Sequence, residues 1–113
     1  MQYVLPSNVA PIGYESITVD STAGGKSLTA ATYTVSIDSN TGLKKKASRA
    51  LISVETQSVR WNVSPGVTVT DTTNGHLAAA LDSIWLTTTT QIENFRAIRA
   101  TGSDGTIRVT YFL

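Results

Sequence analysis

The chain has 113 residues, nine Lys and Arg against eight Asp and Glu for a formal net charge of +1, and no cysteine. The length sets one domain, and the charge balance gives no ground for a nucleic-acid or anionic-membrane partner. The missing cysteines exclude a disulfide framework and thiolate metal sites.

Threonine is very abundant, valine and isoleucine are frequent, and glycine- and Asn/Asp-containing turns recur at short intervals. β-Branched residues suit the pleated, half-buried surface of a sheet. The expectation is an all-β fold: a compact antiparallel β-sandwich or small barrel of about eight strands. An extended N-terminal arm over residues 1–14 precedes a single β domain over 15–113. A domain this small buries under about 70% of its unfolded surface, so oligomerisation is an expected source of stability.

The arm contains Pro6 and Pro11, each of which removes a ladder donor and extends the residue before it. Tyr3, Val4, Leu5, Val9, Ile12 and Tyr14 make it too apolar for a solvated tail. Of these, Tyr3, Leu5, Val9 and Ile12 are candidate contacts, on the domain itself or on a neighbouring subunit. The start lacks the basic and long apolar regions of a signal peptide, which predicts synthesis in a cytoplasm. No run of about 18 apolar residues occurs, so no membrane span is expected.

The first strand is expected over Glu15–Asp20 and the second over Thr32–Asp38, with Tyr33, Val35 and Ile37 on one face. Lys44, Lys45 and Lys46 follow; such a run reads as a solvated loop or an edge guard, or as a docking patch for an acidic partner. Ala47–Glu55 is the most apolar strand, with Ala50, Leu51 and Ile52 buried on both sides. Val59, Trp61 and Val63 then alternate with Arg60 and Asn62, which places Trp61 in the core. Val67–Thr70 reads as a short strand, and 71–75 as a turn. His76–Leu81 reads as a helical turn or irregular connection, too short for a stable helix. Asp82–Thr88 is another strand. The last third reads as a β-hairpin, Phe95–Ala100 and Thr106–Phe112, joined through Thr101–Gly105. Ile107, Val109, Tyr111 and Leu113 fall on one face of its second strand, and Arg108, Thr110 and Phe112 on the other.

Sites for chemistry are thin. His76 is the single histidine, it follows a turn glycine, and no nucleophile-elbow pattern occurs; a turn hydrogen-bonding role is expected for it. No calcium-loop pattern is present, and Asp71 with Asn74 supplies too few oxygens for a cation. Gly24-Gly25-Lys26-Ser27 lacks the upstream glycine of a phosphate-binding loop. No catalytic, metal or cofactor residue is assigned, and no enzyme is expected. Arg60, Trp85, Arg108 and Phe112 point away from the main apolar set. Arginine beside large aromatics is the usual make-up of an interface, so these four join the candidate interface.

Ala50–Glu55, Val59-Arg60-Trp61, Gly75-His76-Leu77, Asp82-Ser83-Ile84, Ile92–Arg99 and Ile107–Tyr111 together resemble small β-structured virion proteins of tailed bacteriophages. The resemblance covers roughly the last two-thirds of the chain. The size and β-character look like head decoration (cement) proteins. Such a resemblance implies a structural role on the capsid, the major capsid protein as partner, a homo-oligomer with a trimer favoured, and residence in the virion after synthesis in the host cytoplasm. The segment after Val63 departs from the pattern, and the motifs carry no active site. A tail or head-completion component, or a carbohydrate-binding module using Trp85 as a platform, are the alternatives.

Overall fold

The computed structural model describes residues 10–38, 40–66, 69 and 75–113. The expected strand over 67–70 but for Val69, the turn over 71–75 but for Gly75, and arm residues Tyr3, Leu5 and Val9 lie outside these. Ten antiparallel strands are present among the described residues, which makes the chain all-β as expected from its composition.

Sheet A consists of β1 (Pro11–Val19), β10 (Gly105–Phe112), β5 (Arg49–Glu55) and β8 (Ser83–Leu86), in that spatial order. Sheet B consists of β2 (Lys26–Ser27), β9 (Arg96–Arg99), β6 (Val59–Asn62) and β7 (His76–Ala78). A separate ribbon pairs β3 (Thr34–Asp38) with β4 (Leu43–Lys46). Two short helices complete the description, α1 (Ala30–Tyr33) and α2 (Thr89–Asn94).

One apolar cluster joins the two sheets, as in a sandwich: Val19, Ile52, Val54, Ile107, Val109 and Tyr111 from sheet A meet Val59, Ala78 and Ala97 from sheet B. Ile92 and Phe95 from the α2 region close it. The sheet A register matches large to small: Tyr111 lies opposite Ala50, which in turn lies opposite Leu86. The small side chain leaves room for its two large neighbours, as close packing requires.

The expected terminal hairpin does not form. β9 pairs with β2 and β6, and β10 pairs with β1 and β5. Past the end of β9 the same divergence continues, because Arg99 N–H donates to Asp20 O and Ala100 N–H to Ser58 O, at 3.0 and 3.1 Å. The link over 101–104 therefore carries the chain from one sheet to the other. Each backbone edge is satisfied by another partner, and hydrogen-bonding groups rarely go unpaired once buried. Gly105 is fixed by close approach: a Cβ there would lie 2.9 Å from Gln57 O. The alternation within β10 is as expected, with Ile107, Val109 and Tyr111 inward and Arg108 exposed.

Four further boundaries differ from the sequence reading. The first strand begins at Pro11, not Glu15, and Ile12 sits at a register irregularity between Pro11 and Gly13 that turns it onto the domain's own core. A proline is tolerated there because β1 is an edge strand and Pro11 its first residue. Tyr33 belongs to α1 and is buried, whereas Ile37 is exposed on the ribbon. In β5, burial alternates: Ala50, Ile52 and Val54 are buried, and Leu51 is only half-buried. His76–Ala78 is a strand rather than a helical turn, since pairing with β6 supplies hydrogen bonds that a lone turn cannot.

Little in the sequence announces α2, because the threonines over 87–90 that lead into it are poor helix formers. Its start is capped: Thr88 Oγ1 accepts from Gln91 N–H (3.1 Å), and Gln91 Oε1 accepts from Thr87 N–H (2.7 Å), a Thr-x-x-Gln arrangement close to a capping box. Thr89 Oγ1 donates to Ala47 O at 2.8 Å and ties the helix to the start of β5.

Candidate functional site

Strand alternation gives each sheet an outer face, and the candidate residues divide between them. On sheet A one cross-strand row runs Tyr14–Thr110–Leu51–Trp85 over all four strands. Tyr14 is 56% exposed and Trp85 38%; Leu51 and Thr110 are half-buried. Such opposed side chains stand close enough to act as a unit. The adjoining row is polar, with Ser16, Arg108, Ser53 and Ser83 in register.

Arg108 is locked into this face. Its Nε donates to Glu55 Oε2 at 2.6 Å and its Nη1 to the Tyr14 hydroxyl at 2.8 Å. Those two partners, Glu55 foremost, raise its pKa above the ordinary arginine range. The guanidinium holds Tyr14 at the rim of the apolar row. An exposed pair of this kind contributes little stability, so its main consequence is positional.

Phe112 requires a correction. It points to the outer face, as its place in the alternation predicts, but it is only 1% exposed and its ring centroid is 5.7 Å from that of Trp85. Phe112 supports Trp85 from beneath and is not itself a free contact. A hydrophobic side chain of that size is covered wherever a neighbour allows.

Ile12 likewise leaves the set of neighbour contacts, since it packs on the domain's own core. Lys44, Lys45 and Lys46 lie exposed on β4. Lys46 pairs with Glu93 at 2.9 Å, which raises its pKa. The three lysines therefore stand on a strand of the two-stranded ribbon rather than in a loop.

Arg60 lies on the outer face of sheet B, not beside Arg108. It stands opposite Ile98 and Leu77, and its buried Nε has no hydrogen-bond partner. Trp61 packs on the core as expected, against Phe95 (ring centroids 6.2 Å, near-parallel) and His76 (5.0 Å). His76 is exposed on β7, with its ring tilted against that of Trp61.

Leu51 is the member of the sheet A row that sequence reasoning missed, and Tyr14 lies on β1 rather than on an arm. Tyr14 alternates with Glu15 and Ile17, a signal that was legible once the strand was started at Pro11. Among the described residues, no group of three or more His, Cys, Asp or Glu could hold a metal ion, and no helix is long and apolar enough to cross a membrane.

Compared with protein-family models, curated proteins and solved structures, the chain finds no match.

Proposed function

We propose that this chain is a structural protein of a tailed-phage virion, a capsid decoration protein that lies on the major capsid shell and braces it. The observation that carries the reading is the outer face of sheet A. Tyr14, Leu51 and Trp85 form an apolar row open to solvent at both ends, with Phe112 beneath and Arg108 alongside. Aromatics and arginine are the residues that interfaces concentrate. The proposal includes a homo-oligomer, with a trimer favoured, no cofactor, and no nucleic-acid or membrane partner. It also includes residence in the virion after synthesis in the host cytoplasm, and a role that is not enzymatic. Tyr3, Leu5 and Val9 are proposed to lie across the neighbour.

A carbohydrate platform at Trp85 is less well supported. A sugar site places amides or acids beside its tryptophan; here Trp85 stands with Leu51 and Phe112. A tail or head-completion role would use the same face and differs only in its place in the particle.

The test is co-sedimentation with empty capsids of the parent phage, for the full chain, a Trp85→Ala variant and a chain lacking residues 1–9. The full chain is expected to pellet with capsids, and both variants to pellet less. Failure of the full chain to bind, with binding instead to isolated tails or necks, would move the protein to that part of the particle. Binding to neither overturns the virion reading.

A further inference from the structure

On the other side of the molecule, the β1–β2 loop, the turn after β6 and the start of β9 enclose a polar hollow of about 360 Å³, lined by Ala23, Gly24, Gly25, Ser64, Gly66, Asn94 and Arg96. Among the described residues, Arg96 is its one charged group and no carboxylate lines it. Of the nine Lys and Arg, four are ion-paired among the described residues. Lys26 pairs with Asp20, Lys46 with Glu93, Arg99 with Asp104 and Arg108 with Glu55. Arg96 has no ion pair among the described residues. Arg60, diagonal to it on the outer face of sheet B, has none either, and its Nε is a buried donor without an acceptor.

The walls are backbone-rich because glycines rim the hollow. Gly24, Gly25 and Gly66 all have positive φ, at 84°, 84° and 74°. A Cβ on Gly25 would meet Ala97 O at 3.1 Å and Arg96 Cβ at 3.2 Å, so the loop lies directly against β9 beside the arginine. A Cβ on Gly24 would meet nothing within 4 Å.

We propose that this hollow is a carboxylate-binding site, built to receive an aspartate or glutamate side chain of a protein partner on Arg96. A planar guanidinium fork matches a carboxylate with two parallel hydrogen bonds. The Ser64 hydroxyl and the Asn94 amide, one of whose N–H groups is committed to Thr90 O at 2.8 Å, supply further polar contacts. A single lining cation balances one negative charge, which favours a carboxylate over a phosphate dianion. The inference stands apart from the capsid reading, because it lies on the opposite sheet from the Tyr14–Trp85 row and holds for any protein partner.

The test is amide chemical-shift titration of the full chain by NMR, with N-acetylglutamate α-methylamide, its glutamine counterpart and inorganic phosphate as probes. The expected result is saturable shifts confined to Gly24, Gly25, Ser64 and Arg96 with the glutamate probe and none with the glutamine probe. Those shifts disappear in Arg96→Gln and weaken in Arg96→Lys, which keeps the charge but loses the fork. The spectra report directly that each variant is folded. Equal shifts at Lys44 and Lys45, or shifts that survive Arg96→Gln, overturn the site. Saturation by phosphate at lower concentration than by the glutamate probe overturns the assignment to a carboxylate.

Discussion

The Tyr111 hydroxyl donates a hydrogen bond to Glu15 Oε2 on the inner face of sheet A, joining central strand β10 to edge strand β1. The same carboxylate accepts from Thr29 N–H at 3.1 Å and Thr29 Oγ1 at 2.7 Å, just before α1. One acid thus holds the sheet edge, the core tyrosine and the approach to the ribbon. Tyr33 packs at 5.7 Å from the Tyr111 ring and completes the cluster.

Removing Glu15 leaves a buried hydroxyl and two Thr29 donors without their acceptor. Glu15→Ala is expected to destabilise by about 1–3 kcal/mol, the penalty for stranding a buried polar group. Tyr111→Phe leaves the carboxylate with the Thr29 donors and should cost about 1 kcal/mol. Urea unfolding of both single variants and the double variant gives their coupling. Strict additivity would show that the pair makes no net contribution.

Burial first, and the hydrogen bond to Glu15 second, push the Tyr111 phenol well above the ordinary tyrosine range. The folded value therefore exceeds the unfolded value near 10. The stabilisation from this group is fully present below about pH 10 and is lost as the pH rises towards the folded value. An absorbance titration at the tyrosinate band should leave Tyr111 un-ionised until the fold is lost. A Tyr111→Phe variant should lose only the late, cooperative step. If Tyr111 ionises near pH 10 with the fold intact, the buried hydrogen bond is not present in solution.

Leu81 has φ = 78° and is 76% exposed. Its N–H donates to Val54 O while Val54 N–H donates to Asp82 O, a bulge where glycine is the usual occupant. A left-handed conformation costs a non-glycine residue about 1–2 kcal/mol, and glycine loses about 0.5–1 kcal/mol of that advantage to chain entropy. Leu81→Gly should consequently leave stability unchanged or raise it by up to about 1 kcal/mol, read as thermal midpoint. A loss beyond 1 kcal/mol would mean that the leucine is packed.

Ile52 and Val109 lie opposite one another in sheet A and are fully buried. Alanine at either should cost about 1–4 kcal/mol through the cavity left behind. Trp85→Ala, on the outer face, uncovers Phe112 and is expected to cost about 1–2 kcal/mol, within the ordinary span for single substitutions. Chemical denaturation ranks the three; a Trp85 loss as large as that at Ile52 would place the tryptophan in the core.

The sequence determined which way most side chains face. Alternation in 107–112 separates Ile107, Val109 and Tyr111 from Arg108, and alternation in 59–63 separates Trp61 from Arg60; both hold in the structure. It also carried the fold class, because β-branched residues and closely spaced turns express local preferences. Partner choice was not written there. Backbone N–H and C=O groups are the same at every residue, so a period of two assigns a face without naming the neighbouring strand. Only the packing of two sheets on one core decided that β9 and β10 separate at Thr101, that Phe112 is covered beneath Trp85, and that Arg60 and Arg108 stand on different sheets. Arg96 came to lie beside Gly24 and Gly25 for the same reason: residues 72 and 71 positions apart meet only once β2 pairs with β9.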